Sequence, residues 1–235
     1  MGERMRERAS EIEAFMEWED RAMYVLSAKP SHTPERIKGL YEPGGLRDAF
    51  ARPPELRHAG FGIGWDSDVQ TEDGALVAFD SSRCRWLETD GFFTVALRAD
   101  QRMLGRSPRR SEQPQRLQIH PTALVEFTYE FCRFVSQQLE DAVGSGYHLG
   151  LLLIGAATRP WSLQLGRHSA FQPFADGRAA TSDEWVRTLG STSDPVVDAY
   201  RLLVHVYDLF EQPESAIPHA ESGRIDVQSI LALSE

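Results

Sequence analysis

The segment His120–Ala142, HPTALVEFTYEFCRFVSQQLEDA, constrains the fold more than any other stretch of this chain. Its polar residues Glu126, Glu130, Arg133, Gln137 and Glu140 recur at steps of four, three, four and three, which is one narrow stripe on a 3.6-residue helix. The rest of the surface carries Leu124, Val125, Phe127, Tyr129, Phe131, Cys132, Phe134, Val135 and Leu139. A helix that is apolar around most of its circumference needs neighbours on several sides. It is therefore expected to be the spine of a core. It fixes architecture and names no reaction.

What surrounds the spine reads as an α+β domain. Arg21–Ala28 has strand composition and is stopped by Pro30. From Ala75 the period becomes two, and Ala75–Phe79, Arg83–Glu88 and Phe92–Arg98 read as strands, the last two joined through Asp90-Gly91. Asp and Gly tolerate the positive φ of tight hairpin turns, so the pair is a hairpin signal. Phe61–Trp65 and Leu117–Ile119 read as short strands. Tyr147–Ala156 reads as a strand buried on both faces, with Trp161–Leu165 as its neighbour. Thr181–Glu184 is expected to begin a helix ending near Gly190. Asp194-Pro195 should cap another helix, and Arg224–Leu233 should form a last short one. The expected architecture is a largely antiparallel sheet packed against the central helix and the C-terminal helices.

Two units are expected: a charged linker helix over 1–20, with Ile12, Phe15 and Met16 as its apolar anchors, and a single α+β domain over 21–235 with a mobile loop near 105–116. The opening segment has no apolar stretch of a signal peptide. The longest apolar run, Tyr147–Ala157, is about half the ~20 residues a membrane helix requires. Cys84 and Cys132 stand alone, with neither a CxxC nor an even-numbered framework, which fits a reduced setting. A cytoplasmic protein with no membrane contact is expected. Of the 25 basic residues only Lys29 and Lys38 are lysines, a bias read as the mark of GC-rich bacterial coding.

A formal charge of −10 excludes sequence-independent nucleic-acid binding over the whole surface. One segment departs from that balance. In Arg102–Arg116 five arginines, Arg102, Arg106, Arg109, Arg110 and Arg116, meet a single acid, Glu112. They could grip phosphates bidentately, though no aromatic is present for base stacking, and a plain solvated loop is the competing reading. Glu126 and Glu130, one turn apart, could share a proton for acid–base work or lie on an ordinary solvated face with Arg133. Gly60-Phe61-Gly62-Ile63-Gly64 superficially resembles a phosphate loop, yet no helix follows to hold a phosphate, so a turn or strand is expected. The seven histidines show no metal-ligand spacing, and no GxSxG, SxxK or Cys–His signature occurs. His205, near Asp208, reads as a core or helix-paired histidine. No cofactor and no metal are expected, and the catalytic residues of any reaction are not named by the sequence.

Pro53-Pro54-Glu55-Leu56-Arg57, Gly60-Phe61, the Asp90-Gly91 hairpin, and His120–Glu126 with Thr128-Tyr129-Glu130-Phe131 together carry a likeness. They resemble the region that follows the divergent AlbA domain in bacterial Schlafen-like proteins, over residues 15–235. Family members place nucleic-acid binding or cleavage in a preceding Glu-rich domain, so the resemblance implies no nuclease residues here. It implies a regulatory or partner-binding module, in phage defence or transcriptional control, with the upstream domain missing. Three functions are thus carried forward. The first is a non-enzymatic module that binds a protein partner or serves a Schlafen-like nucleic-acid-binding protein. The second is a small hydrolase or nuclease with a scattered carboxylate and histidine site. The third is a weak nucleic-acid binder acting through the arginine loop.

Overall fold

Seven antiparallel strands form the main sheet, in the order Glu184–Gly190, Tyr147–Ile154, Met23–Pro30, Phe93–Arg98, Arg83–Leu87, Ala75–Phe79 and Gln70–Glu72. The computed structural model describes residues 1–18, 22–35, 37–38, 40, 42, 44–57, 60, 62–63, 68–98, 105–106, 118–156, 162–163, 178–179 and 181–234. The elements in chain order are α1 (Gly2–Phe15), β1 (Met23–Pro30), α2 (Leu46–Ala51), β2 (Gln70–Glu72), β3 (Ala75–Phe79), β4 (Arg83–Leu87) and β5 (Phe93–Arg98). Then come β6 (Gly105–Arg106), β7 (Gln118–Ile119), α3 (Pro121–Phe134), a π-helical turn (Val135–Leu139), α4 (Glu140–Val143) and β8 (Tyr147–Ile154). The chain continues with β9 (Ser162–Leu163), β10 (Arg178–Ala179), β11 (Glu184–Gly190), α5 (Pro195–Leu209), β12 (Ala220–Glu221), β13 (Arg224–Ile225) and α6 (Val227–Leu231). The fold is α+β.

The sheet is apolar on both sides because its strands alternate two apolar sets. Tyr24, Leu26, Leu76, Phe93, Val95, Leu97, Leu149, Leu151 and Leu153 face one core, shared with α3 and α5. Val25, Val77, Cys84, Trp86, Ala96 and Leu152 face a second, smaller core. As the helical stripe requires, α3 is buried all round, from Pro121 through Cys132 and again at Phe134. Phe131 stacks on Phe93 with centroids 5.7 Å apart, and Phe134 meets the same ring at 5.1 Å. Pro121 starts the helix, where a missing N–H costs little. Tyr24 Oη and Thr128 Oγ1, 2.7 Å apart, bond across this core, and burial pushes the tyrosine's pKa up.

Four sequence expectations need correction. Glu184–Gly190 is strand β11, not a helix. Trp185, Val186 and Thr188 favour strand, and β8 would otherwise present a long apolar edge. Within 161–165, strand β9 does not adjoin β8: it pairs with β7 and β10 in a separate four-stranded sheet. The opening helix is no free linker. Met5, Ala9 and Ile12 lie at steps of four and three, and all three are fully buried on the second core. Gly150 provides the notch, since a Cβ there would collide with the Met5 thioether. Arg224–Leu233 holds strand β13 before its short helix α6.

The sheet has two edges. β2 is three residues long and exposed throughout. β11 is longer, and its flanking bonds to β8 (Gly155 N–H to Asp183 O, Ser191 N–H to Tyr147 O) turn Glu184, Val186, Thr188 and Gly190 outward. Three of those four carbonyls accept from side chains: Ser182 Oγ to Glu184 O at 2.8 Å, Arg187 Nη1 to Val186 O at 2.7 Å, and Arg201 Nη1 to Gly190 O at 2.9 Å.

Candidate binding cleft

The two carboxylates on the spine helix are neither a solvated face nor an open acid–base pair. Glu126 and Glu130 are 1% and 3% exposed. Glu126 takes the Arg57 guanidinium through Nε at 2.7 Å and Nη2 at 2.6 Å. Glu130 accepts from the Leu56 N–H at 2.5 Å and the Ile63 N–H at 2.8 Å. A Cβ at position 62 would overlap that carboxylate, so only glycine lets the chain pass. From the sheet side Arg85, fully buried, donates to Ile63 O at 2.8 Å and to Ala51 O at 3.3 Å. Burial pulls its guanidinium down to about 9, and it stays charged at neutral pH. Arg133 closes the set on Pro54 O. These groups form a clamp that ties the described part of 51–63 across the spine helix. The stripe is exposed only further along, at Gln137.

Other polar clusters are also occupied by the chain's own groups. Asp198, 2% exposed, accepts from Ser191 Oγ at 2.7 Å, Thr192 N–H at 2.9 Å and Thr192 Oγ1 at 3.0 Å, fixing the turn into α5. Asp194 caps that helix through the Val196 N–H, as its sequence position suggests. Ser229 Oγ lies 2.8 Å from His219 Nδ1, a pair invisible in the linear sequence. The same hydroxyl sits 2.9 Å from the Asp226 carbonyl, while the Asp226 carboxylate accepts from the N–H groups of Gln228 and Ser229. The arrangement caps α6 and holds it to the β12–β13 hairpin. His205 Nδ1 lies 3.8 Å from Asp208, the helix-paired reading. Cys84 and Cys132 are buried, and burial drives both thiols up, Cys84 to about 12, where they are poor nucleophiles. Among the described residues no group of three or more His, Cys, Asp or Glu could hold a metal ion. No described helix is long and apolar enough to cross a membrane.

The arginine-rich segment lies outside the described residues at Arg102, Arg109, Arg110 and Arg116. Arg106 is placed by its backbone alone, in β6 opposite Gln118. The glycine run 60–64 is described only at Gly60, Gly62 and Ile63, which belong to the clamp.

An arrangement that presents open chemistry lies on the other side of the sheet, where α1 meets the turns between strands. Arg4, Arg8, Glu11 and Phe15 repeat at steps of four, three and four, a stripe beside the buried Met5, Ala9 and Ile12. Arg4 sits 4.2 Å from the centre of the Phe92 ring and pairs with Glu88 at 2.6 Å and Asp90 at 2.7 Å. Arg8 sits 4.5 Å over Trp86 and pairs with Glu88 at 2.8 Å and Glu11 at 2.5 Å. Burial works against charge on Arg4, but Asp90 and Glu88 outweigh it and raise the guanidinium above its usual value. Burial likewise opposes the Asp90 charge, and bonds from Arg4 and the Phe92 N–H overcome it, holding that carboxyl below its usual value.

Beside these seats opens a cleft of about 430 Å³, lined by Arg8, Glu11, Phe15, Glu72, Asp73, Ala75, Trp86, Glu88 and Thr89. Aromatic rings pack together in its wall. Phe15 makes an edge contact with Trp86 at 5.6 Å and with Phe79 at 5.1 Å. Asp73 and Gly74, with φ of 46° and 83°, form the two-residue turn that carries the rim from β2 into β3. The exposed rim carboxylates Glu72 and Asp73 have no ion pair among the described residues, whereas Glu11 and Glu88 are engaged by Arg8. Trp86 is 6% exposed, and its buried indole N–H meets no acceptor among the described residues. Sequence reasoning missed the cleft because it discounted α1. The signal was present in the two parallel stripes. Comparisons with protein-family models, with curated proteins and with solved structures find no match for this chain.

Proposed function

We propose that the chain is a non-enzymatic binding module whose protein partner is taken at the cleft between α1, the β2–β3 turn and β4. The observation that carries the reading is a contrast among carboxylates. Glu126, Glu130 and Asp198 are buried and consumed by the chain's own donors, while Glu72 and Asp73 stand exposed on a preformed cleft. The Glu126–Glu130 pair is thereby unavailable for acid–base work. A rim with unspent charge suits recognition. The described surface carries no broad apolar patch, Leu233 being its only exposed large apolar residue, so a polar contact suits it better than a greasy one.

The context we propose is that of a module accompanying a Schlafen-like nucleic-acid-binding protein. It is supported by the way the resembling pieces come together: Leu56, Arg57 and Gly60 lie on Glu126 and Glu130. Those residues shape the fold rather than perform chemistry, as an accessory region would require. The test is site-specific photo-crosslinking in cells, with a benzophenone side chain at position 72 and, as control, at the exposed position 211. A discrete protein adduct at 72 and none at 211 is the expected result. Equal adducts at both positions, or none at either, would overturn the reading.

A further inference from the structure

Resting on the cleft as the binding site, we infer that its occupant is a basic peptide segment of the partner, received through an arginine or lysine side chain and an adjacent backbone carbonyl. Two features of different kind converge on that class. The first is charge. Four carboxylates line the cleft against one guanidinium, and the two nearest the β2–β3 turn are unpaired among the described residues. The chain supplies its own template for the complement: Arg4 and Arg8 each lie on an aromatic ring while reaching two carboxylates. A third cation entering between Glu11, Glu72 and Asp73 would extend the same pattern, and the chain's net charge of −10 would draw it in.

The second feature is an unmet donor. Trp86 lines the cleft, and its buried indole N–H has no acceptor among the described residues. A buried donor without a partner is a standing cost that an arriving acceptor relieves. A simple metal ion or a polyamine brings positive charge and no acceptor. A peptide brings both, since every residue carries a carbonyl beside its side chain. Arg8 covers the Trp86 face, whereas the N–H donates in the ring plane, at the edge.

The experiment follows backbone amide shifts of the whole chain during titration with blocked pentapeptides. The probes are acetyl-Gly-Arg-Gly-Arg-Gly-amide, the same peptide with citrulline for arginine, its glutamate counterpart, and spermine. The arginine peptide should saturate shifts at Ala75, Glu88 and Thr89, and these should fade as salt is raised. The citrulline and glutamate peptides should leave them unmoved, and spermine should bind more weakly than the arginine peptide. The double variant Glu72→Gln, Asp73→Asn should weaken the arginine peptide roughly fivefold, the loss of two exposed pairs. Asparagine tolerates the left-handed conformation at 73, so the turn survives. Equal binding of spermine, or of wild type and double variant, overturns the inference. Saturable binding of the citrulline or glutamate peptide at the same amides overturns the ligand class while leaving the cleft as a binding site. If no probe moves these amides the inference fails, and the crosslink at 72 decides the cleft separately.

Discussion

The two faces of the main sheet are covered by opposite means. On one face α3 and α5 bring aromatic and aliphatic side chains, and Phe131, Phe134 and Phe93 pack ring against ring. On the other, α1 brings three fully buried residues, Met5, Ala9 and Ile12, and surrounds them with Arg4, Arg6 and Arg8 pairing to Glu88, Asp90 and Glu184. One cover rests on buried area, the other on a small apolar footprint pinned by charge. The first should respond to lost volume and ignore salt. The second should respond to salt, pH and a single misplaced methyl group.

The largest effect belongs to the aromatic face. Phe131→Ala should cost about 3–5 kcal/mol, read from the denaturant midpoint. A loss under about 1 kcal/mol would mean the spine does not dominate, and the contrast would collapse. Next comes the clamp on the same helix. Glu130→Gln turns one acceptor into a donor facing a backbone N–H, and should cost about 2 kcal/mol. Proteolysis within 54–63 should quicken at the same time. Unchanged cleavage would show that the segment is held by apolar contact instead.

Gly150→Val tests the outer face alone. Its side chain would displace Met5 and should cost about 1–3 kcal/mol, with faster amide exchange over Gly2–Phe15 and unchanged protection of Pro121–Phe134. Equal acceleration in both helices would show that the faces unfold as one. The smallest effect concerns Asp90. Its folded pKa lies below the usual 3.8, so its contribution is present above that value and lost as pH falls through the folded one. Asp90→Asn keeps the acceptor for Phe92 and drops the charge. The wild type should exceed the variant by about half a kcal/mol or less near pH 6, the pair being partly exposed. That margin should vanish once pH falls below the folded value, and in high salt. A margin that persists in acid would remove Asp90 from the clasp.

How far the sequence could be read follows the same division. The spine helix, the three hairpin strands and the Asp194 cap were legible because local period and turn chemistry determine them. β11 was misread, since a seven-residue segment with mixed polarity becomes a strand only when β8 offers it an edge. The linker expectation for α1 undercounted the anchors: Met5 looks incidental until Gly150 gives it a notch 145 positions away. The fate of Glu126 and Glu130 was hidden for a similar reason. Their partners Arg57, Leu56 and Ile63 lie 67 to 74 residues away, and no periodicity reports such a pairing. The cleft inherits that difficulty, because its lining comes from a helix, a turn and a strand that meet only in the fold.

The outer edge of β11 bears on how this molecule behaves in crowds. Strand edges are where folded proteins recruit copies of themselves, each added strand exposing a new one. Here Ser182, Arg187 and Arg201 already occupy three of the four outward carbonyls. An incoming chain would have to evict two guanidinium groups before gaining its first full set of ladder bonds. The sheet is thus self-terminating: at high local concentration, tethered beside other copies, it should stay dispersed where a bare edge would seed a fibre. Replacing Arg187 alone would lift part of that stop while leaving the buried Asp198 with its Arg201 partner.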